Sequence, residues 1–79
     1  MPRVHRYITV FNKRSDERLT QYPLRGVRLS QLRRLFGADK HDPMYDCFPV
    51  GPTQAKEVAH WTGKPLNPGK YDYFLECEA

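Results

Sequence analysis

The alternation of residue types in KYDYFLECE, residues 70–78, limits the folds open to this chain more than any other feature. Side chains of a β-strand point alternately to its two faces, so this segment has one apolar face and one largely acidic face. The apolar face contains Tyr71, Tyr73, Leu75 and Cys77. The other face contains Asp72, Phe74, Glu76 and Glu78. We therefore predict a strand with one buried face and one face that is mostly in water.

A second strand is predicted near the start of the chain, where HRYITVFNK (5–13) is rich in β-branched and aromatic residues. Its side chains divide between two faces, with Tyr7, Thr9 and Phe11 on one side and Ile8 and Val10 on the other. Because both faces carry apolar groups, we expect an inner strand that is covered on both sides.

Two segments in the middle of the chain have the residue spacing of short helices. GVRLSQLRRLFG (26–37) is expected to begin at Ser30 as its N-cap. Its apolar residues share one helical face: Leu32, Leu35 and Phe36. PTQAKEVAHWTG (52–63) begins with a proline, which suits the first turn of a helix. Both segments end at a glycine, as many helices do.

These elements predict an α+β domain. RLTQYPLR (18–25) returns the chain as a strand, and Pro23 places that strand at an edge because proline has no N–H to donate. The C-terminal strand most simply pairs with residues 5–13, which makes that strand central. The predicted fold is a small antiparallel sheet, an N-terminal hairpin plus the C-terminal strand, with two helices packed on one face. The chain length predicts a single domain, residues 1–79.

The connection between the two helices, ADKHDPMYDCFPVG (38–51), mixes acids, aromatics, a methionine and a cysteine. A residue that precedes proline is disfavoured in the helical conformation. Pro43, Pro49 and Pro52 therefore predict a mostly extended or turning segment, with a short strand around residues 46–48.

Charge is divided unevenly along the chain. Residues 1–40 hold ten lysines and arginines against three acids, a net charge of +7. Residues 41–79 hold three lysines against six acids, a net charge of −3, and the whole chain carries +4. Such an asymmetry can steer a charged partner, and from the sequence either half can be the one that faces it.

No set of residues indicates catalysis, a cofactor or a metal. The histidines are not paired at the spacing of zinc ligands: His5, His41 and His60. Cys77 lies on the apolar face of its strand, which predicts a buried thiol. Asp42 and Asp46 would raise the pKa of the Cys47 thiol and disfavour a nucleophile. We expect a protein that is not an enzyme and has no cofactor.

The sequence predicts a protein without a membrane segment. No stretch approaches the roughly 20 apolar residues of a membrane-spanning helix. The charged start of the chain is not followed by an apolar stretch, which predicts no secretory signal. We therefore expect a cytoplasmic location.

Several segments resemble those of a family of small bacterial proteins: YITVFNKRSDERL, LSQLRRLFG, DPMYDCFPV, QAKEVAHWTG and YDYFLECEA. The resemblance covers nearly the whole chain, residues 5–78. Proteins of this family look like the immunity partners of polymorphic bacterial toxins, including those of contact-dependent growth inhibition systems. The resemblance implies an immunity protein that forms a heterodimer with the C-terminal domain of a cognate toxin and neutralises it.

We predict that the connection between the helices contacts the toxin. Its prolines stiffen an extended loop, which reduces the entropy lost on binding. Its carboxylates can pair with lysine or arginine of a partner, and Met44 and Tyr45 can supply adaptable and aromatic anchors. The predicted partner-binding residues are Asp39, Asp42, Met44, Tyr45 and Asp46. The alternative is that Met44, Tyr45 and Phe48 fill the core while Asp42 caps a turn.

The basic first half favours an alternative function, a small nucleic-acid-binding or regulatory module. Tyr7, Phe11 and Tyr22 lie among its arginines, and single-strand binders combine aromatic side chains with cations. Against this alternative, YITVF lacks the glycine-aromatic pattern of the RNA-recognition motif. The arginines are also spread over several predicted elements.

Overall fold

A four-stranded antiparallel sheet and two helices form the fold in a computed structural model that describes residues 4–78. Residues 1–3 and residue 79, which belong to the predicted domain, lie outside the described residues. The elements are β1 His5–Asn12, β2 Arg18–Pro23, α1 Leu29–Phe36, β3 Phe48–Pro49, α2 Pro52–Thr62 and β4 Tyr71–Glu78. The strand order is β2-β1-β4-β3, and the predicted fold class is confirmed.

Strand β1 is central, as predicted, because it pairs with β2 on one side and with β4 on the other. On one face, Ile8 and Val10 lie beside Leu75 and Tyr73 of β4, and all four side chains are buried. The predicted core-facing positions Ile8, Val10, Tyr73 and Leu75 are therefore confirmed, whereas Tyr71 and Cys77, predicted on the same buried face of β4, are only half-buried.

The expectation that β1 is covered on both faces is wrong. Leu32 of α1 and Val58 of α2 belong to the same buried cluster as Ile8 and Val10. In the described part of the chain both helices thus pack on one side of the sheet. The other side, which carries Thr9 and its neighbours, has no helix of residues 4–78 over it.

The hydrophobic core lies between the sheet and the helices. Its buried members are Ile8, Val10, Leu32, Met44, Val58, Tyr73 and Leu75. Burying a side chain of this size stabilises the fold by about 1.5–3 kcal/mol relative to leaving it in water. Because the core is small, each of these residues accounts for a large share of the stability of the domain.

Both helices begin with the same capping arrangement, which uses glutamine. In α1, Arg28 donates its backbone N–H to Gln31 Oε1 at 2.8 Å, and Gln31 donates its own N–H to the Arg28 carbonyl at 3.0 Å. In α2, Gly51 and Gln54 make the same two bonds at 2.9 Å and 3.1 Å. The predicted N-cap at Ser30 is wrong, because the extended residue that precedes the helix is Arg28.

Both helices end as predicted. Gly37 and Gly63 follow α1 and α2 with φ of 66° and 68°, the left-handed conformation that glycine adopts without a Cβ clash. The longer helix has 11 residues. In the described part of the chain no helix is long and apolar enough to cross a membrane.

Both edges of the sheet end in proline. β2 is an edge strand that ends at Pro23, as predicted, and its pairing with β1 is irregular between Val10 and Phe11. At the other edge is β3, which has only two residues and lies slightly later in the chain than the strand predicted at residues 46–48. Phe48 pairs with Leu75 on the core side, and Pro49 follows it.

Candidate protein-binding site

Two arginines fasten the segment that precedes β3, residues 39–47, which we call the anchored loop. Arg6 of β1 donates from Nη2 to the carbonyl oxygen of Pro43 at 2.7 Å. Arg33 of α1 donates from Nε to the carbonyl oxygen of Asp42 at 2.6 Å. Hydrogen bonds from a charged donor are stronger than neutral ones. The loop is therefore tied to both layers of the fold, and two cations of the basic half are each engaged by a backbone carbonyl of the loop.

Met44 fixes the same loop to the core. Its side chain is 0% exposed and belongs to the hydrophobic cluster. Its backbone has φ of 55°, a conformation that is uncommon for residues other than glycine. Such a conformation costs about 1–3 kcal/mol, which the burial of the side chain offsets. The prediction that Met44 contacts a partner is wrong, because its side chain has no exposed surface; the alternative prediction, core packing, describes it.

The carboxylates of Asp39 and Asp42 shape turns of the loop. Asp42 accepts a hydrogen bond from the Met44 N–H at 2.8 Å and caps that turn, as the alternative prediction had it. Asp39 accepts from the His41 N–H at 2.8 Å. Short polar side chains commonly hold turns in this way. Asp42 is half-buried and Asp39 is exposed, so Asp39 has the freer surface for a partner.

Tyr45 and Asp46 project from the loop. Tyr45 is 63% exposed, and Asp46 is also exposed. Within residues 4–78, neither side chain takes part in a hydrogen bond or an ion pair. Exposed tyrosines on a fixed backbone are typical binding anchors, because they offer a large contact area and lose little conformational freedom. Partner binding by Tyr45 and Asp46 stays a prediction.

Cys47 connects the loop to β4. Its Sγ lies 3.9 Å from Oε2 of Glu76. Burial, and after it the charge of Glu76, raises the pKa of the Cys47 thiol above its usual value. The predicted direction is confirmed, but the acid beside the thiol is Glu76 and not Asp42 or Asp46. A thiol of this kind is a weak nucleophile at neutral pH.

Two acids of β4 continue the exposed surface of the loop. Glu76 lies beside Tyr7 in the sheet. The Tyr7 hydroxyl donates to Oε2 of Glu78 at 3.2 Å. Partial burial, followed by the hydrogen bond and the charge of Glu78, raises the pKa of Tyr7. Sequence reasoning placed both glutamates on the wet face of a strand but did not assign them to the site. The contact between Cys47 and Glu76 joins this end of β4 to the anchored loop.

Comparison with known families gives one match. Residues 5–76 match the family model of a domain of unknown function, DUF7683. The chain belongs to this family. No curated protein and no solved structure matches it. The DUF7683 match includes the whole anchored loop and β4 as far as Glu76.

A depression on the surface of this DUF7683 domain lies between the two helices, on the side of the core away from the sheet. It has a volume of about 560 Å3 and is lined by, among others, Arg34, Lys56, Glu57 and Trp61. Neither histidine nor cysteine is among its described lining residues. Elsewhere in residues 4–78, no group of three or more His, Cys, Asp or Glu side chains is placed to hold a metal ion.

Proposed function

We propose that this DUF7683 domain is a non-catalytic immunity protein of the cytoplasm. It binds the C-terminal domain of a cognate bacterial toxin in a one-to-one heterodimer and neutralises it. The observation that carries the proposal is the anchored loop, in which Arg6, Arg33 and Met44 hold a backbone that presents Tyr45 and Asp46 to solvent. Within residues 4–78 these two exposed side chains make no hydrogen bond or ion pair, which favours a role in recognition.

Fixing the loop before binding favours tight association. A flexible loop loses about 0.5–1.5 kcal/mol for each mobile side chain that binding immobilises, in addition to the cost of ordering its backbone. In the anchored loop the backbone is already held by the bonds to the carbonyls of Asp42 and Pro43. Tyr45 can therefore contribute its contact area with a small entropic cost.

The local charge of the surface also supports this function. Inhibitors of toxins with basic clefts need carboxylates, whereas the whole chain carries a net charge of +4. The loop and the end of β4 hold five acids, Asp39, Asp42, Asp46, Glu76 and Glu78, against Lys40 and the two arginines that bond to the loop, so this region carries 3 − 5 = −2 although the whole chain is positive. We therefore assign the contact to the acidic half of the chain, where it can pair with lysine and arginine of the toxin.

A second candidate function, a nucleic-acid-binding module, is supported by a different surface. Arg33, Arg34 and Lys40 line a depression of about 420 Å3 beside α1. Arg33 is engaged by the carbonyl of Asp42, so the cations free to meet a phosphate there are Arg34 and Lys40. This surface lies apart from Glu76 and Glu78, whose charge disfavours phosphates.

The test is a pull-down of tagged protein from a lysate of its own bacterium, with nuclease treatment, high salt and mass spectrometry. Immunity predicts one stoichiometric protein partner that survives both treatments, and protection when that partner is co-expressed. The variant Tyr45→Ala with Asp46→Arg is expected to lose partner and protection. The control is Glu57→Arg, a charge reversal at an exposed position of α2. It is expected to retain both the partner and the protection.

Asp42 is left intact in this design because its carboxylate holds the Met44 turn, so its loss would change the shape of the loop. Bound nucleic acid that is released by high salt would instead favour the second function, because phosphate contacts are salt-dependent. In that case Arg34→Ala with Lys40→Ala is expected to abolish the retention.

A further inference from the structure

The side of the sheet away from the helices has its own organisation. We call it the open face, and its main residues on β1 and β4 are Tyr7, Thr9, Phe11, Phe74, Glu76 and Glu78. The two phenylalanines pack edge to face, with ring centroids 5.6 Å apart. Aromatic side chains thus form the middle of a surface that no helix of residues 4–78 covers.

Thr9 lies in the middle of the open face and is 0% exposed. Its Oγ1 atom has no hydrogen-bond partner in the described part of the chain. Because Thr9 has no surface exposed to bulk solvent, its hydroxyl stays without a partner there, which costs about 1–3 kcal/mol. The aromatic side chains around Thr9 therefore form a dry, apolar centre of the kind found in the middle of protein interfaces.

The charges of the open face are separated along the strands. At the Phe11 end, Lys13 and Asp72 form an ion pair at 3.5 Å, which neutralises both. At the Tyr7 end, Glu76 and Glu78 have no ion pair within residues 4–78. The acidic end is the one that meets the anchored loop, through the contact between Cys47 and Glu76.

The edges of the sheet are poorly suited to a partner strand. Pro23 ends β2, and Pro49 lies in the two-residue β3, and neither proline can donate a backbone hydrogen bond. The pairing of β2 is also irregular near Phe11. A partner is therefore expected on the face of the sheet and not as an added strand.

The small size of the anchored loop also indicates that the open face takes part in binding. A stable protein interface uses about 20–30 residues on each side. Residues 39–47 are too few to make one, and part of this loop is inside the protein. The open face borders the loop at Cys47 and Glu76, so the two together supply a larger continuous surface than the loop alone.

We propose that the open face is the second part of the toxin-binding surface. It receives a segment of the toxin that places an apolar side chain over Phe74 and lysine or arginine against Glu76 and Glu78. This inference rests on the proposed function. The aromatic centre with carboxylates at one end selects a basic protein surface, because the same carboxylates repel the phosphates of a nucleic acid.

The experiment measures the affinity of the captured toxin domain for four forms of the full chain by titration calorimetry. The face variant is Glu76→Lys with Glu78→Lys. Its control, Glu17→Lys with Glu57→Lys, makes the same change in net charge at exposed sites away from the acidic end. The loop variant is Tyr45→Ala, and the fourth form is the wild type. Thermal melts check that each form is folded.

The face variant is expected to bind the toxin about 100-fold more weakly than the wild type, and the control to stay within about threefold. Wild-type affinity in the face variant, with binding lost in the loop variant, would overturn the open-face proposal and leave the immunity function standing. The absence of any bound toxin for the wild type would instead remove the proposed function.

A second copy of this chain is the other occupant that the experiment detects. Sedimentation of the wild type alone at several concentrations is expected to give a monomer. A dimer that the face variant dissociates would overturn the proposal, since the open face would then be occupied by another copy of the same chain.

Discussion

Ile8 and Thr9 are neighbours in β1 with fully buried side chains, but they lie on opposite faces of the sheet and are buried by different means. Ile8 is covered by a second layer, because residues of both helices pack in its cluster. Thr9 has no helix of residues 4–78 over it, and its neighbours across the sheet are Gln21 and Phe74. Burial alone therefore does not show that a face is inside the protein, and the open face combines a dry centre with access for a partner.

The largest expected effect is a difference in stability between substitutions on the two faces of the sheet. Ile8→Ala removes a core side chain and leaves a cavity, so we expect the free energy of unfolding to fall by about 4 kcal/mol. Phe11→Ala, on the open face, is expected to cost less than half as much, because its ring is only partly buried. Urea denaturation measures both. Equal losses would mean that the open face is packed as tightly as the core.

The next effect compares two adjacent residues of the anchored loop. Met44→Ala is expected to lower the free energy of unfolding by about 2–3 kcal/mol, because its side chain is in the core. Tyr45→Ala is expected to change it by less than about 0.5 kcal/mol, as for other exposed side chains. Chemical denaturation of the two variants measures both changes in the free energy of unfolding. A large loss in Tyr45→Ala would show that this ring supports the fold.

A smaller effect, of opposite sign, is expected at the centre of the open face. Thr9→Val keeps the shape of the side chain and removes a hydroxyl that has no partner. We expect the free energy of unfolding to rise by about 1 kcal/mol. Thr9→Ser, which keeps the hydroxyl and removes the methyl group, is the matched variant and is expected to destabilise the protein. A loss of stability in Thr9→Val would mean that the hydroxyl is hydrogen-bonded.

The smallest effect concerns the boundary between the loop and the open face. The pKa of Cys47 is raised in the folded protein. At a pH near the usual pKa of a thiol, a smaller fraction of Cys47 is therefore thiolate in the folded protein than in the unfolded chain. Alkylation of Cys47 in a Cys77→Ala background is thus expected to be slower in the native state than in denaturant. Glu76→Gln should move the pH profile of alkylation downwards, but not to the usual value, since burial is the larger cause.

The same raised pKa gives a sign for stability. Below the usual thiol pKa, Cys47 is protonated in both the folded and the unfolded protein, and its contribution to the free energy of unfolding is fully present. As pH rises through the usual value, the unfolded chain releases its proton first and is favoured, so stability falls until the folded thiol also ionises. A native alkylation profile identical to that of the unfolded chain would contradict the contact between Cys47 and Glu76.

Local patterns in the sequence predicted most of the fold. The two-residue period placed Ile8 and Val10 on one face of β1 and Tyr73 and Leu75 on the matching face of β4. These assignments succeeded because side-chain direction in a strand depends only on position. The ends of the helices were predicted for a similar reason, since the left-handed residue that ends each helix is a glycine.

The start of the second helix at Pro52 was predicted correctly. The start of the first helix was harder to predict, because serine is a common capping residue and Ser30 suits that role. In both helices the capping residue is a glutamine at the third helical position, in the pairs Ser30-Gln31 and Thr53-Gln54. The repeated pair is a signal that could have been used. It was missed because serine and threonine usually cap from the position before the helix.

The candidate site could be predicted only in part. In a turning segment one of two adjacent side chains faces the core, and local sequence did not decide between Met44 and Tyr45. The contacts that hold this segment are long-range, such as the bond from Arg6 to Pro43, which spans 37 residues. Glu76 escaped assignment for the same reason, because its contact with Cys47 joins residues that are 29 positions apart.

The bonds that hold the anchored loop have a consequence for variation among proteins built like this one. Arg6 and Arg33 bond to backbone carbonyls of Pro43 and Asp42, and a carbonyl oxygen is common to every amino acid. The frame of the loop therefore does not depend on the side chains at positions 45 and 46. If the proposed immunity function holds, those two positions can be exchanged to suit a different toxin, by mutation in nature or by a designed library, while the scaffold that displays them stays unchanged.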